Sequence, residues 1–221
     1  MAERVKRPYD SSRRQEQARQ TRRAVLAAAH DLFVSQGYAR TTIAEVASAA
    51  GVSVETVYAA FRNKPALLQR VWDVTVGGDD REVLLHERPE VQAIRAEADL
   101  TKRLHAQARF STATARRIGP FMRALEAAAG ADAAAAAILA DVHRQRYDGI
   151  GVMAREAAAT GQLAVSEQVC HDLVWATTDS TLWHRLVVER GWTDEQYAAH
   201  LGATWVAWLV RPGRARAARR G

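Results

Sequence analysis

The sequence predicts an all-α fold in two unequal parts: an N-terminal three-helix unit built around a helix-turn-helix, and a larger C-terminal helical body. Three observations lead there. Helix-favouring Ala, Leu, Arg and Glu abound in a chain whose hydrophobic fraction of 48% suits a folded core. Apolar residues recur at helical spacing through most of the 221 residues. Residues 41–65 write out two short helices joined by a glycine turn. No segment reads as a strand.

The elements follow in order. Pro8, Ser11, Ser12 and many charges predict a basic, disordered leader over residues 1–18. A helix comes next, in which Val25, Ala28, Ala29, Leu32 and Phe33 form one apolar stripe, and Gly37 and Tyr38 end it. Thr42 followed three residues later by Glu45 is a capping box, with Ile43, Val46, Ala47 and Ala50 as the buried stripe behind it. Gly51 can take the positive φ of a helix-ending turn, Val52 fills the angle between the helices, and Ser53 can cap the second one. There Val57 and Phe61 face the core, which leaves Glu55, Thr56, Tyr58 and Ala59 outside. Pro65 opens a fourth helix carrying Leu67, Leu68, Val71 and Trp72. Gly77, Gly78, Asp79 and Asp80 mark the break, so the small unit is expected over residues 19–79 and the body over 80–210.

Within the body, residues 81–98 read as a loop-rich connection with a short helix. Helices are expected over 100–117, 121–129, 132–160, 166–189 and 193–210; Gly119 and Pro120 separate the first two, and Gly191 and Trp192 the last two. The alanine-rich tract 131–137 is a strong helix former that allows close packing. Thr193 and Gln196 repeat the capping-box spacing. Residues 211–221 read as a basic, disordered tail.

Charge is placed unevenly. Residues 1–64 carry 11 Lys/Arg against 6 Asp/Glu, residues 65–210 carry 15 against 19, and residues 211–221 carry 5 against none. A basic end beside a helix with a short-stemmed outer face is the footprint of a nucleic-acid binder, while the mildly acidic body is that of an ordinary globular domain. Cys170 is the single cysteine, so no internal disulfide and no cysteine metal site is expected. No apolar run approaches the ~20 residues of a membrane span, and the start lacks a secretory signal, so a cytoplasmic protein is expected. No glycine-rich phosphate loop, zinc signature or nucleophile elbow is present. An enzyme is not expected, nor is a cofactor or metal.

The order of parts resembles the tetracycline-repressor (TetR) family of transcription regulators. The resemblance rests on Gly37-Tyr38, on Thr41 through Ala47, on Gly51-Val52-Ser53, on Thr56-Val57-Tyr58, and on Phe61 and Lys64; it is close over residues 19–76. It implies DNA-binding residues Thr41, Thr42, Ser53, Val54, Glu55, Thr56, Tyr58 and Lys64: Thr42, Tyr58 and Lys64 at phosphates, and Ser53, Glu55 and Thr56 at base edges in the major groove. Glu55 departs from the small or basic residue often found there, and would accept from a cytosine amino group or exclude other sequences. Ala59 and Ala60 leave few side chains for readout, so duplex shape and the basic leader would contribute.

The family further implies a homodimer on double-stranded DNA, hence an inverted-repeat operator with half-sites roughly 34 to 36 Å apart or a multiple of it. It also implies release by a small effector. Expected pocket residues are Trp72, Phe110, Phe121, Met122, Tyr147, Met153 and Trp175. Expected interface residues on the last two helices are Leu182, Trp183, Leu186, Tyr197, Leu201, Trp205 and Trp208. The rival reading is an architectural DNA-binding protein that uses both basic ends and no ligand.

Overall fold

The computed structural model describes residues 11–78 and 85–212. Its elements are ten α-helices and two short turns of other helix types among those residues, with no strand, so the all-α expectation holds. Residues 1–10 of the expected leader, Asp79 and Asp80 of the expected break, and residues 213–221 of the expected tail lie outside the described residues. The chain divides into two compact units at Trp72/Asp73, inside the fourth helix rather than after it.

The first unit holds α1 (Ser11–Gln36), α2 (Ile43–Ala50), α3 (Val54–Phe61) and the start of α4 (Lys64–Gly77). Helix α1 begins at Ser11, within the expected leader, because residues 11–23 include good helix formers and no glycine or proline. Its stripe buries Val25, Leu26, Ala29 and Phe33, and Val46, Ala47, Val57, Phe61 and Leu67 of the same unit are buried with it. Fully burying one such side chain is worth about 1.5–3 kcal/mol, so the stripe outweighs the modest intrinsic propensity of these short helices.

The second unit is built on two long helices, α6 (Leu100–Ala129) and α7 (Ala133–Ala159), preceded by a 3-10 turn at Leu85–Glu87 and by α5 (Pro89–Ala96). Helices α8 (Glu167–Thr177), α9 (Ser180–Trp183), a π-helical turn (His184–Glu189) and α10 (Asp194–Leu209) complete it. Leu104, Ala108, Ala115, Trp183, Leu201, Trp205 and Leu209 share its core. The chain leaving α7 and the end of α10 are tied by Ala164 N–H to the Leu209 carbonyl at 2.8 Å and Arg211 N–H to the Gln162 carbonyl at 3.0 Å.

Two helix expectations are corrected. Residues 100–117 and 121–129 form one helix with Pro120 inside it. Proline removes one backbone donor, but Phe121, Met122 and Leu125 continue the buried stripe of Leu104, Ala108 and Ala115, and Gly119 admits the Trp183 ring against the helix. Packing on both sides of the proline outweighs the missing bond. Conversely, residues 166–189 are not one helix. Thr178 leaves helical geometry at φ −104°, ψ 6°, and the Asp179 carboxylate caps a new helix by accepting from the N–H groups of Thr181 and Leu182.

Candidate nucleic-acid interface

The start of α2 is fixed by its capping box. The Glu45 N–H donates to the Thr42 hydroxyl at 3.2 Å, while Glu45 Oε2 accepts from the Thr42 N–H at 2.7 Å and from the Thr42 hydroxyl at 2.9 Å. The Thr42 backbone bond, then the Thr42 hydroxyl, holds the Glu45 carboxyl below its ordinary range. Gly51 closes α2 at φ 68°, ψ 33°, and the Val52 N–H returns to the Ala47 carbonyl at 3.0 Å. Ser53 then caps α3 by accepting from the Thr56 N–H at 3.2 Å. These local bonds set the second helix at a sharp turn from the first.

Helix α3 buries Val57 and Phe61 and leaves Ser53, Glu55, Tyr58, Ala59 and Ala60 exposed, with Val54 and Thr56 half-buried. Tyr58 is 49% exposed, so its ring is not packed away beside Phe61. The Thr56 hydroxyl lies 3.1 Å from that of Ser53. The Glu55 carboxyl is held below its ordinary range by its own backbone N–H first and the Ser53 hydroxyl second. Lys64 is tied to the turn after α1: its Nζ donates to the Ala39 carbonyl at 3.4 Å and sits 4.2 Å from the Tyr38 ring centroid.

Two of the expected DNA-binding residues stand differently. Thr41 is buried at 1% exposure, and its hydroxyl donates to the Gly37 carbonyl at 2.9 Å and accepts from Gln36 Nε2 at 3.3 Å. Its side chain therefore structures the α1–α2 turn and does not reach a duplex. Thr42 is exposed, but its hydroxyl is engaged in both directions by Glu45. The amides of Ile43 and Ala44, which have no intrahelical acceptor, are the groups the start of α2 can offer an anion.

Sequence patterning does not single out Arg40 and Arg62, both exposed. Arg40 Nε donates to the Gln36 carbonyl at 2.8 Å, and Arg62 caps α3 with its own φ at 63°. Their one signal in the sequence is a cation on either side of the motif.

In the second unit, Phe121 and Met122 are buried and Phe110 and Met153 half-buried, but Tyr147 and Trp175 are 43% and 36% exposed. Those two rings meet edge-on at the surface, 6.2 Å apart, with the Arg146 guanidinium 5.0 Å from the Trp175 centroid. Both therefore stand at the surface of the second unit rather than in its core. Trp72, although buried, belongs to the first unit. Of the expected interface residues, Trp183, Tyr197, Leu201 and Trp205 are intramolecular core, with the Trp205 N–H donating to the Thr177 hydroxyl at 2.8 Å. Leu182 and Trp208 remain exposed, at 36% and 46%, joined by Val188 at 55%, while Leu186 is half-buried. Among the described residues no cluster of His, Cys, Asp and Glu could hold a metal, and no helix is long and apolar enough to cross a membrane.

Comparison with known proteins agrees with this geometry. A family model described as bacterial regulatory proteins of the tetR family matches residues 25–71. The HTH-type transcriptional regulator TtgR of Pseudomonas putida is 41% identical over 61 residues, 28% of this chain and 29% of that protein. The regulator AcrR of Shigella flexneri is 35% identical over 60 residues, 27% and 28% of the two chains. The match thus spans under a third of the length of these curated relatives.

Among solved structures, NalD, the secondary repressor of the MexAB-OprM multidrug efflux pump in Pseudomonas aeruginosa, aligns at a TM-score of 0.63 and 20% identity over 90% of this chain and 100% of that one. SmeT in complex with triclosan aligns at 0.63 and 20% identity over 87% and 93%. At that identity the likeness is one of fold. Residues 25–71, and the capped helix pair they contain, are thus similar to the tetR family of bacterial regulatory proteins.

Proposed function

We propose that this chain is a ligand-responsive transcriptional repressor of the cytoplasm that binds an inverted-repeat operator as a homodimer and is released by a small, largely apolar effector. The observation that carries the reading is the outer face of α3: short side chains at Ser53, Thr56, Ala59 and Ala60 allow close approach to a major groove, and exposed Tyr58 stands beside them. Around it, the amides at the start of α2 together with Lys64, Arg40 and Arg62 offer phosphate contacts. Ser53, Glu55, Thr56 and Val54 face base edges, Glu55 limiting which sequences are accepted.

Dimer and effector are supported by chemistry in the second unit. Leu182, Val188 and Trp208 are exposed large apolar side chains on the C-terminal segment from α9 to α10, the kind of residue an interface core uses. Phe110, Phe121, Met122 and Met153 are buried or half-buried apolar side chains of the kind that would line a small-molecule site between α6 and α7. The regulators named above point the same way: NalD is a repressor and SmeT was solved with triclosan.

The test is selection of duplexes from a random pool by the full chain, followed by binding of the selected duplex to wild type, T56A and Y58F. The selected sequences should be inverted repeats, and each variant should bind about tenfold or more weakly, the loss set by one hydrogen bond to a charged or base group. Selection of no common sequence would refute operator recognition. Effector response is read by adding triclosan, as a probe of small apolar ligands, to the preformed complex; a panel of such compounds that binds the protein yet never shifts the complex would refute release.

A further inference from the structure

Helices α1 and α2 are each followed by a glycine with positive φ, Gly37 at 87° and Gly51 at 68°. Helix α3 is not. It ends on Arg62, at φ 63° and ψ −47°, the one residue other than glycine with a positive φ among the described residues. The negative ψ separates Arg62 from the left-handed conformation in which Gly51 ends α2, at ψ 33°. The Asn63 N–H donates across it to the Phe61 carbonyl at 2.6 Å, so residues 61–63 form a γ-turn of the rare, strained hand.

The turn is held from both sides. The Arg62 N–H donates to the Tyr58 carbonyl at 2.8 Å, closing the last turn of α3 behind buried Phe61. Ahead, the Asn63 side chain accepts from the Ala66 N–H at 2.8 Å, the Asn63 carbonyl accepts from the Leu67 N–H at 3.1 Å, and Leu67 is fully buried. A glycine in the middle of this turn would adopt its angles without the crowding of a Cβ. Strained backbone persists where its surroundings over-determine it, and it collects at sites that bind.

Packing leaves the Arg62 side chain unused. It is exposed, and its guanidinium makes no hydrogen bond or ion pair with any described residue. The neighbouring cations differ: Arg40 Nε is engaged by the Gln36 carbonyl, and Lys64 Nζ by the Ala39 carbonyl and the Tyr38 ring. An arginine with its donors open, four residues after exposed Tyr58, is equipped to take two oxygens of one phosphate.

We propose that the strained turn after α3 serves DNA binding: it presents the Arg62 guanidinium to one backbone phosphate beside the groove that α3 enters, and lowers the stability of the first unit in doing so. The proposal rests on the operator-binding reading above. Because a phosphate carries no base identity, the contact strengthens binding to every sequence alike.

Wild type, R62G, R62A and R62K, each as the full chain, test it. R62G relaxes the turn and removes the cation; R62A removes the cation and leaves the turn strained; R62K keeps a cation. Thermal denaturation reads the strain. R62G should melt about 4 °C or more above R62A, since relief of the turn outweighs the added freedom of glycine in the unfolded chain. An R62G that melts at or below R62A would overturn the strain.

Binding of the selected duplex and of an unrelated one, over a range of salt, reads the contact. R62A and R62G should weaken both duplexes by the same factor, about tenfold, and lower the salt slope by about 0.9 for each chain bound, while R62K keeps most of the slope. Neutral methylphosphonates placed singly along the selected duplex locate the phosphate. One position should weaken wild type about as much as R62A does, and have no further effect on R62A. An unchanged slope in R62A, or no position whose effect disappears in R62A, would overturn the contact while leaving operator selection by wild type intact. Weakening confined to the selected duplex would overturn it too, by making Arg62 a reader of bases. A wild type that selects no common sequence would overturn the operator reading and the contact together, with the melting comparison still deciding the strain.

Discussion

Replacing Gly51 by alanine isolates the backbone demand of the turn on which the reading helix depends. Gly51 sits at φ 68°, ψ 33°, and a Cβ built on it meets nothing within 4 Å. The substitution therefore causes no clash, and both bonds of the turn, from the N–H groups of Gly51 and Val52, can persist. What remains is the left-handed conformation itself, which costs an L-residue about 1–2 kcal/mol. The stiffer unfolded chain offsets part of this, by about 0.4–1 kcal/mol. A net loss of about 1 kcal/mol is expected, which for a unit of this size lowers Tm by about 4–8 °C. Gly51→Asn, whose residue type visits this conformation more readily, should lose roughly half as much. Scanning calorimetry of the full chain, following the transition of the first unit, reads both. An alanine variant that melts at or above the wild-type temperature would refute the turn geometry.

Other outcomes follow from the same physical terms. Glu45 has a folded pKa below its ordinary value of 4.5 because it accepts from Thr42. It therefore adds stability that is fully present above the unfolded value and disappears as pH falls through the lower folded one. Denaturation midpoints taken from about pH 6 to about pH 3 should fall less steeply in E45Q than in wild type; parallel curves would show that the box does not form. Trp205, fully buried with its N–H on Thr177, should cost about 3–5 kcal/mol when cut to alanine. Trp208→Glu, at a 46% exposed site, should instead leave helix content intact and shift sedimentation from dimer to monomer. If the two substitutions behave alike, the division between core and interface is wrong. Burial first, and Glu167 second, pushes the Cys170 thiol up to about 11, so native protein should resist thiol reagents near pH 8 and react once unfolded.

What is legible in the sequence is what is local. Both capping boxes, Thr42 with Glu45 and Thr193 with Gln196, form as their spacing predicts, and so does the positive φ at Gly51. Their partners lie within four residues, where a pattern can see them. Pro120 misleads because proline is judged by its own backbone, whereas burial of Phe121 and Met122 and the Trp183 ring beside Gly119 decide the outcome. Thr41 misleads for a related reason: its hydroxyl turns back to the Gly37 carbonyl, a bond that side-chain chemistry permits but does not announce. In the body, an apolar stripe reports that a face is buried and not by what. Trp205 and Trp208 look alike along α10, yet one is core and the other surface, and only the packing of α10 on α6 separates them.

The central claim is that two copies of this chain seat α3 in successive major grooves of one duplex. Sedimentation of the full chain with its selected duplex, at matched concentrations of each, tests it most directly. Two chains per duplex are expected, with protected half-sites centred roughly 34 to 36 Å apart or a multiple of that, and with protection lost in Y58F at the same concentration. A complex of one chain per duplex, or protection that survives unchanged in Y58F and T56A alike, would contradict it.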